Sequence, residues 1–250
     1  MKIIGTMIEG FQKVFYADKN SAVKHVCLIA LTAIISYSSV QSDILKTQVK
    51  GAGAMPDLTG FFLGLLAALI VGCYLWGYSL KFMRNVYYEN PEETLPEFDE
   101  NPFKVFFKAL PLMLVWIIYF ILIGIVSGIL SAILIGLLGF LVLIVMSIGI
   151  QFVWVEFIKD YDANGLYNIK LPFQYIKPTI GPLILMGLLY ILIYILCMIP
   201  CVLVGVILGV FGASETATMY VGGVLGGYLG FVCQLVWYYC IVKLYKEKFE

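Results

Sequence analysis

A chain of 250 residues that is 62% apolar and only 13% charged, with a formal net charge of zero, does not have the composition of a soluble domain of that length. Its basic and acidic side chains balance at sixteen each, which leaves no basic stripe and excludes a nucleic-acid partner. The six cysteines lie in or beside apolar runs and form no CxxC pair, so they read as small packing residues and not as zinc ligands or a disulfide framework.

In chain order, residues 3 to 16 place Ile4, Ile8, Phe11 and Phe15 on one helical face, with Glu9, Gln12 and Lys13 mostly elsewhere. That spacing predicts an amphipathic helix lying on a membrane surface. Glu9, Gln12, Lys13 and Asp18 interrupt any signal-peptide core, so the mature chain is expected to start at Met1. A first span is expected over about 26–40, the least hydrophobic of the set. A polar linker with Gly51, Gly53 and Pro56 then leads to a second span over about 58–80. The longest charged segment, 81–101, carries Glu89, Glu92, Glu93, Glu97, Asp99 and Glu100. It reads as a solvated loop with helix-capping acids or as a docking surface for a basic partner.

Asn101-Pro102 is an N-cap followed by proline at the first helical position. Beyond it, Phe103, Phe106, Phe107 and Leu110 predict a second surface helix, feeding a third span over about 111–130. From Ala109 to Val155 there are 47 residues without a charge, enough for two crossings of about 20 residues each. The fourth span is placed at about 132–157, the fifth at 182–209 with a kink at Pro200, and the sixth at 217–242. The uncharged run from Pro178 to Ser214 admits either one kinked helix or a re-entrant segment.

Three of these spans end alike. Gln151-Phe152-Val153-Trp154 is followed by Lys159, Gln234-Leu235-Val236-Trp237 by Lys243, and Cys73-Tyr74-Leu75-Trp76 by Lys81. An aromatic at headgroup level with a lysine beyond it is how a membrane helix reaches water. The recurrence predicts one helical hairpin repeated three times, with units of about 1–88, 89–165 and 166–250. Leu171-Pro172-Phe173 echoes Leu95-Pro96-Glu97-Phe98 at a separate position in the repeat. Six spans leave 14 of the 16 basic residues on one side, only Lys46 and Lys50 falling on the other, and the positive-inside rule then puts both termini in the cytoplasm.

Gly222, Gly226 and Gly230 are spaced by four, as are Gly223 and Gly227. Such ladders let helices approach closely, either within the chain or between two copies through the sixth span. Similar pairs are Gly60/Gly64, Gly124/Gly128 and Gly205/Gly209.

The residues that carry chemistry are few. Apart from Glu156 at the water end of its span, no charged side chain is expected inside a span, although proton relays and ion-coupled sites need one. His25 near Ser21 has nothing to orient it as a dyad and reads as an interfacial histidine with its hydrogen bonds satisfied. Asp160, Asp162, Asn164 and Gly165 copy the first half of an EF-hand loop, but Leu171 stands where a bidentate glutamate must close it, so the segment reads as a turn. Gln151 and Gln234, at matching repeat positions, are either interhelical hydrogen-bonding groups or contacts to a substrate.

The strip Trp76-Gly77-Tyr78-Ser79-Leu80-Lys81, then Arg84-Asn85-Val86, then Leu95-Pro96-Glu97-Phe98-Asp99, resembles a family of prokaryotic membrane proteins known as domain of unknown function 4013. The resemblance is strongest over residues 72 to 115. It implies a multi-span membrane protein and brings no activity or functional residues.

The expectation is therefore an all-α polytopic membrane bundle of six spans in three hairpins, with amphipathic surface helices, in a prokaryotic cytoplasmic membrane. No cofactor or metal and no catalytic constellation is expected. The partners are membrane lipids, with a protein partner or a second copy of the chain. The role expected is a non-enzymatic scaffold, accessory subunit or membrane-organising protein; the alternative is a transporter or flippase for an apolar or lipid substrate.

Overall fold

Where lipid is the solvent, each backbone N–H and C=O must find its partner inside the protein, and a single segment achieves this only as a helix. The computed structural model describes residues 3–16, 20–50, 58–89, 94–98, 102–131 and 136–250, and among these it contains helices and no strand. The helices are α1 (Ile3–Tyr16), α2 (Ser21–Lys50), α3 (Leu58–Tyr87), α4 (Pro102–Ser131), α5 (Gly136–Asp160), α6 (Leu171–Val210) and α7 (Glu215–Phe249). The six from α2 to α7 are long and apolar enough to cross a bilayer. The protein is an all-α, multi-pass membrane bundle.

The arrangement is cyclic. Helices α3, α5 and α7 touch one another at the centre. Helix α2 packs between α7 and α3, α4 between α3 and α5, and α6 between α5 and α7, while among the described residues α2, α4 and α6 do not meet. The second helix of each hairpin is thus inside and the first outside. The tryptophans of the three exit motifs all belong to inner helices, and they turn inward: Trp154 is 5% exposed and meets Trp76 edge to face at 5.6 Å.

Two glycines set how closely inner and outer helices cross. A Cβ on Gly77 of α3 would sit 2.0 Å from the carbonyl oxygen of Pro102, and one on Gly149 of α5 would sit 2.5 Å from that of Pro172. In both places the first turn of an outer helix lies directly on an inner helix. Pro172 therefore has its structural counterpart in Pro102. Pro96, its counterpart in the sequence echo, lies outside any helix.

Several expected boundaries shift. Helix α2 continues through 41–50, where the polar linker was expected to begin, and residues 51–57 lie outside the described residues. No separate surface helix precedes the third span: α4 is continuous through Pro111. The buried residues of its first two turns are Pro102, Val105, Phe106 and Ala109, a face shifted from the expected one, and Phe107 is exposed. Likewise α1 buries Ile3, Met7, Gly10 and Val14 against the bundle, with Ile4 and Ile8 left 62% and 54% exposed. An apolar stripe wider than one contact can fill explains both shifts. One side packs on protein and the other remains for lipid.

Helix α6 runs unbroken for 40 residues through Pro178, Pro182 and Pro200, so 178–210 holds no re-entrant segment. It ends at Gly212 (φ +74°), whose N–H donates to the Gly209 carbonyl while that of Ala213 donates to Leu208. Ser214 then caps α7 by accepting from the Ala217 N–H at 3.2 Å.

Candidate functional site

Most of the described ionisable side chains gather at the end of the bundle where both α1 and the C-terminus of α7 lie, Glu215 at the start of α7 being an exception, and many of them bond to each other. Glu156 of α5 accepts from the Tyr245 hydroxyl of α7, from the Tyr175 hydroxyl of α6 at 3.2 Å, and pairs with Lys159 at 3.0 Å. Lys159 also donates to the Tyr245 oxygen at 3.0 Å and meets Glu250 at 3.3 Å, and Glu250 accepts from the Tyr87 hydroxyl of α3. That last hydrogen bond, with Lys159 beside it, holds the Glu250 carboxyl below its ordinary range. Four helix ends are joined in one network.

The acidic segment is tied down from two sides. Glu89 accepts from Lys246 and Lys243, each at 3.1 Å, and these bonds hold its carboxyl below the ordinary value of 4.5. Glu97 pairs at 2.8 Å with Lys24 of α2, a lysine only 3% exposed that also donates to the Leu95 carbonyl at 2.7 Å. Glu92, Glu93, Asp99 and Glu100 lie outside the described residues. Arg84 stands over the Tyr161 ring at 4.4 Å; burial nonetheless pushes the Tyr161 hydroxyl up.

His25 fits the satisfied interfacial reading. Its Nε2 faces the Val14 carbonyl at 3.0 Å, which requires a proton there and leaves Nδ1 to accept from the Tyr228 hydroxyl at 2.9 Å. Ser21 instead donates to the Phe15 carbonyl. The EF-hand-like segment is a pair of Asx turns: Asp160 accepts from the Asp162 N–H and Asp162 from the Asn164 N–H, both at 3.0 Å, and Gly165 takes φ +79°. The amide bond lowers the Asp162 carboxyl, and Leu171 belongs to α6. Among the described residues no three His, Cys, Asp or Glu side chains gather where a metal ion would sit.

The two glutamines part company. Gln151 accepts from the Trp237 indole N–H, an α5–α7 bond between two inner helices. Gln234 donates to Tyr238 on its own helix at 2.8 Å and lines a cavity of about 660 Å³ bounded by α2, α3, α6 and α7. The glycine ladder divides in the same way. A Cβ on Gly223 or Gly227 would meet Ser36 or Thr32 of α2, and one on Gly230 would approach Tyr194 of α6, so these pack within the chain. Gly226 lines the cavity with nothing within 4 Å of its Cβ position, and Gly222 is equally open.

Sequence reasoning missed this cavity, although α2 carried its signal. Thr32, Ser36 and Ser39, spaced by four and three, are one helical face set against the α7 glycines. They are also part of why this span reads as the least hydrophobic. No family model, no curated protein and no solved structure matches this chain.

Proposed function

We propose that this is a non-enzymatic membrane protein, a scaffold or accessory subunit, in the cytoplasmic membrane of a prokaryote with both termini in the cytoplasm. The observation that carries the reading is where its charges go. Among the described residues the cavity is lined by no carboxylate, lysine, arginine or histidine, and Glu156, Lys159, Glu89, Lys246, Lys24 and Glu97 at the charged end are engaged as ties between helices and the 94–98 segment. General acid–base catalysis needs a positioned group beside a substrate space, and ion coupling needs charge inside the spans.

The orientation rests on the clustering of Lys24, Arg84, Lys159, Lys243 and Lys246 at the end that holds both termini. The resemblance to the 4013 family supports the prokaryotic assignment. The exposed faces of α1 (Ile4, Ile8) and α4 (Phe107), beside the charged end, fit helices that load one leaflet with apolar side chains.

The test is native mass spectrometry of the protein released gently from its own membrane. A stoichiometric second polypeptide, lost when Glu92, Glu93, Asp99 and Glu100 are changed to glutamine or asparagine, is the expected result. A chain that leaves the membrane alone, in one copy and with its abundance unlinked to any other protein, removes the scaffold reading. A reporter at the C-terminus that is active only outside the cytoplasm removes the orientation. A second reading, lipid handling, is favoured by the cavity.

A further inference from the structure

Five lysines of the charged end are spent on carboxylates. Lys24, Lys159, Lys243, Lys246 and Lys248 each meet one at 2.8 to 3.6 Å. Arg84 of α3 and Lys108 of α4 are placed differently. Among the described residues neither pairs with a carboxylate, and both stand over one ring: the Arg84 guanidinium carbon is 4.4 Å and the Lys108 Nζ 5.6 Å from the centre of Tyr161. The two cations therefore lie within about 10 Å of each other, roughly one Debye length at 0.1 M salt, and repel. Arg84 also stands 5.6 Å from the Tyr88 ring. Aromatic faces attract cations but carry no net charge, so both positive charges remain uncancelled.

The ring between them is held there by an unusual backbone. Tyr161 follows directly on α5 with φ +57°, a left-handed conformation that a bulky side chain rarely adopts. Its N–H donates to the Phe157 carbonyl at 2.8 Å, and its ring meets that of Phe157 at 5.8 Å. The pair of cations is thus fixed where α3, α4 and the end of α5 meet.

Helix α4 shows what kind of anion reaches them. Its exposed face runs through Lys104, Phe107, Lys108, Pro111, Leu114, Ile118 and Ile121, at helical spacings of three and four. Lys108 is the last charge before the uncharged run from Ala109 to Val155. Within a turn, one face passes from cation to bare hydrocarbon. A phospholipid has the same order, phosphate first and acyl chain next.

We infer that Arg84 and Lys108, set around Tyr161, bind the phosphodiester of one net-anionic phospholipid, with its acyl chains lying on Leu114 and Ile118. The arginine fork matches two phosphate oxygens and the lysine adds a point charge. A zwitterionic lipid brings its own cation to the phosphate and gains less. Inorganic phosphate offers the same oxygens without the chains. The inference rests on the membrane-spanning reading and is independent of the scaffold role.

The experiment titrates the full chain in uncharged micelles with dioleoylphosphatidylglycerol, and separately with dioleoylphosphatidylcholine, counting bound lipid by native mass spectrometry. Expected is a first phosphatidylglycerol bound about tenfold more tightly than phosphatidylcholine. Arg84→Gln and Lys108→Gln each weaken phosphatidylglycerol about fivefold, the worth of one basic residue at an anionic surface, and leave phosphatidylcholine unchanged. Lys108 is exposed, so Lys108→Gln is expected to keep the melting midpoint, and it decides the matter if Arg84→Gln does not fold. Lys177→Gln, the same change of charge at an exposed position of α6, is expected to leave both affinities as they were.

Equal weakening by Lys177→Gln overturns the site, because net charge is then what binds. Phosphatidylglycerol held no more tightly than phosphatidylcholine overturns it as well. Displacement of the lipid by inorganic phosphate at equal concentration overturns the lipid as occupant. Glu92, Glu93, Asp99 and Glu100 lie outside the described residues. Binding that appears only after all four are changed to glutamine or asparagine also overturns the proposal, since those carboxylates then fill the site. Release of the protein from vesicles by alkaline carbonate overturns the membrane reading itself, and shows before any lipid is titrated.

Discussion

At the charged end of the bundle, Glu156 is held by side chains of α5, α6 and α7, Lys24 is buried against the 94–98 segment, and Phe157, Ile158, Leu244 and Tyr245 are shielded from solvent. Toward the opposite end, Ile121, Leu122, Ile125, Ile195, Leu196 and Leu203 are all exposed, and the most apolar stretch of α6 has no buried residue. The longest apolar runs in the chain thus contribute least to its protein core. In lipid this follows directly, because hydrocarbon tails are as apolar as leucine and give helices no hydrophobic reason to associate. Close backbone contact and hydrogen bonds supply that reason, and the two tightest glycine crossings, Gly77 on Pro102 and Gly149 on Pro172, lie toward the charged end with the polar cross-links.

If that contrast is right, substitutions of the same modest size differ sharply between the ends. Gly77→Ala drives a methyl into the Pro102 carbonyl and is expected to cost about 3 kcal/mol or more, seen as a lowered midpoint of reversible unfolding in mixed micelles. Leu196→Ala, on a side chain 54% exposed, is expected to stay within about 0.5 kcal/mol in the same assay. Equal costs for the two would break the comparison.

Next in size is Glu97→Gln, which leaves the Lys24 ammonium buried beside a neutral amide. A loss of about 2 kcal/mol is expected, less than the ~3–5 of a fully buried pair because the Glu97 side chain is 36% exposed. Lys24→Met, which removes the buried charge and leaves Glu97 to water, is expected to cost less than Glu97→Gln. The reverse order in denaturation midpoints would refute that account.

Gln151→Leu removes the acceptor of the Trp237 N–H between inner helices, and about 1 kcal/mol is expected. Gln234→Leu is expected to leave stability nearly unchanged, since that side chain bonds only its own helix. A double-mutant cycle of Gln151→Leu with Trp237→Phe checks the coupling.

The smallest effect concerns pH. The Glu89 carboxyl is held below 4.5 in the folded protein by Lys246 and Lys243. Its contribution to stability is complete above the unfolded value and is lost as pH falls through the depressed folded value. Melting midpoints of the wild type and Glu89→Gln are expected to converge on acidification below about pH 4 and to differ, modestly, near neutrality. A gap that widens on acidification would reverse the sign and discard the Glu89 tie.

How much of the site was legible differs residue by residue. Gln151 and Gln234 carry the same motif, but the sequence has no means of assigning one to an inner-helix bond and the other to a cavity wall. That difference depends on which neighbour each faces, and α5 and α7 have different outer helices beside them. Pro172 was matched to Pro96 by its leucine neighbour, whereas the backbone contacts on Gly77 and Gly149 match it to Pro102. Trp76 was read as an aromatic at the membrane surface, yet its ring meets Trp154 and its N–H is buried.

By itself the sequence determined the helical class and the number of apolar spans, because backbone satisfaction in lipid and the length of a crossing leave no other solution. It also assigned 14 of the 16 basic residues to one side, since charge is excluded from the spans between. The tertiary structure alone decided which helices lie inside and which face of each amphipathic stripe meets protein. It also decided that a gap remains between α2 and α6 over the α7 glycines. Those outcomes depend on contacts between residues such as Gly10 and Tyr239, or Gly223 and Ser36, more than 180 positions apart. Local periodicity sees one helix at a time and has no term for which helix packs beside it.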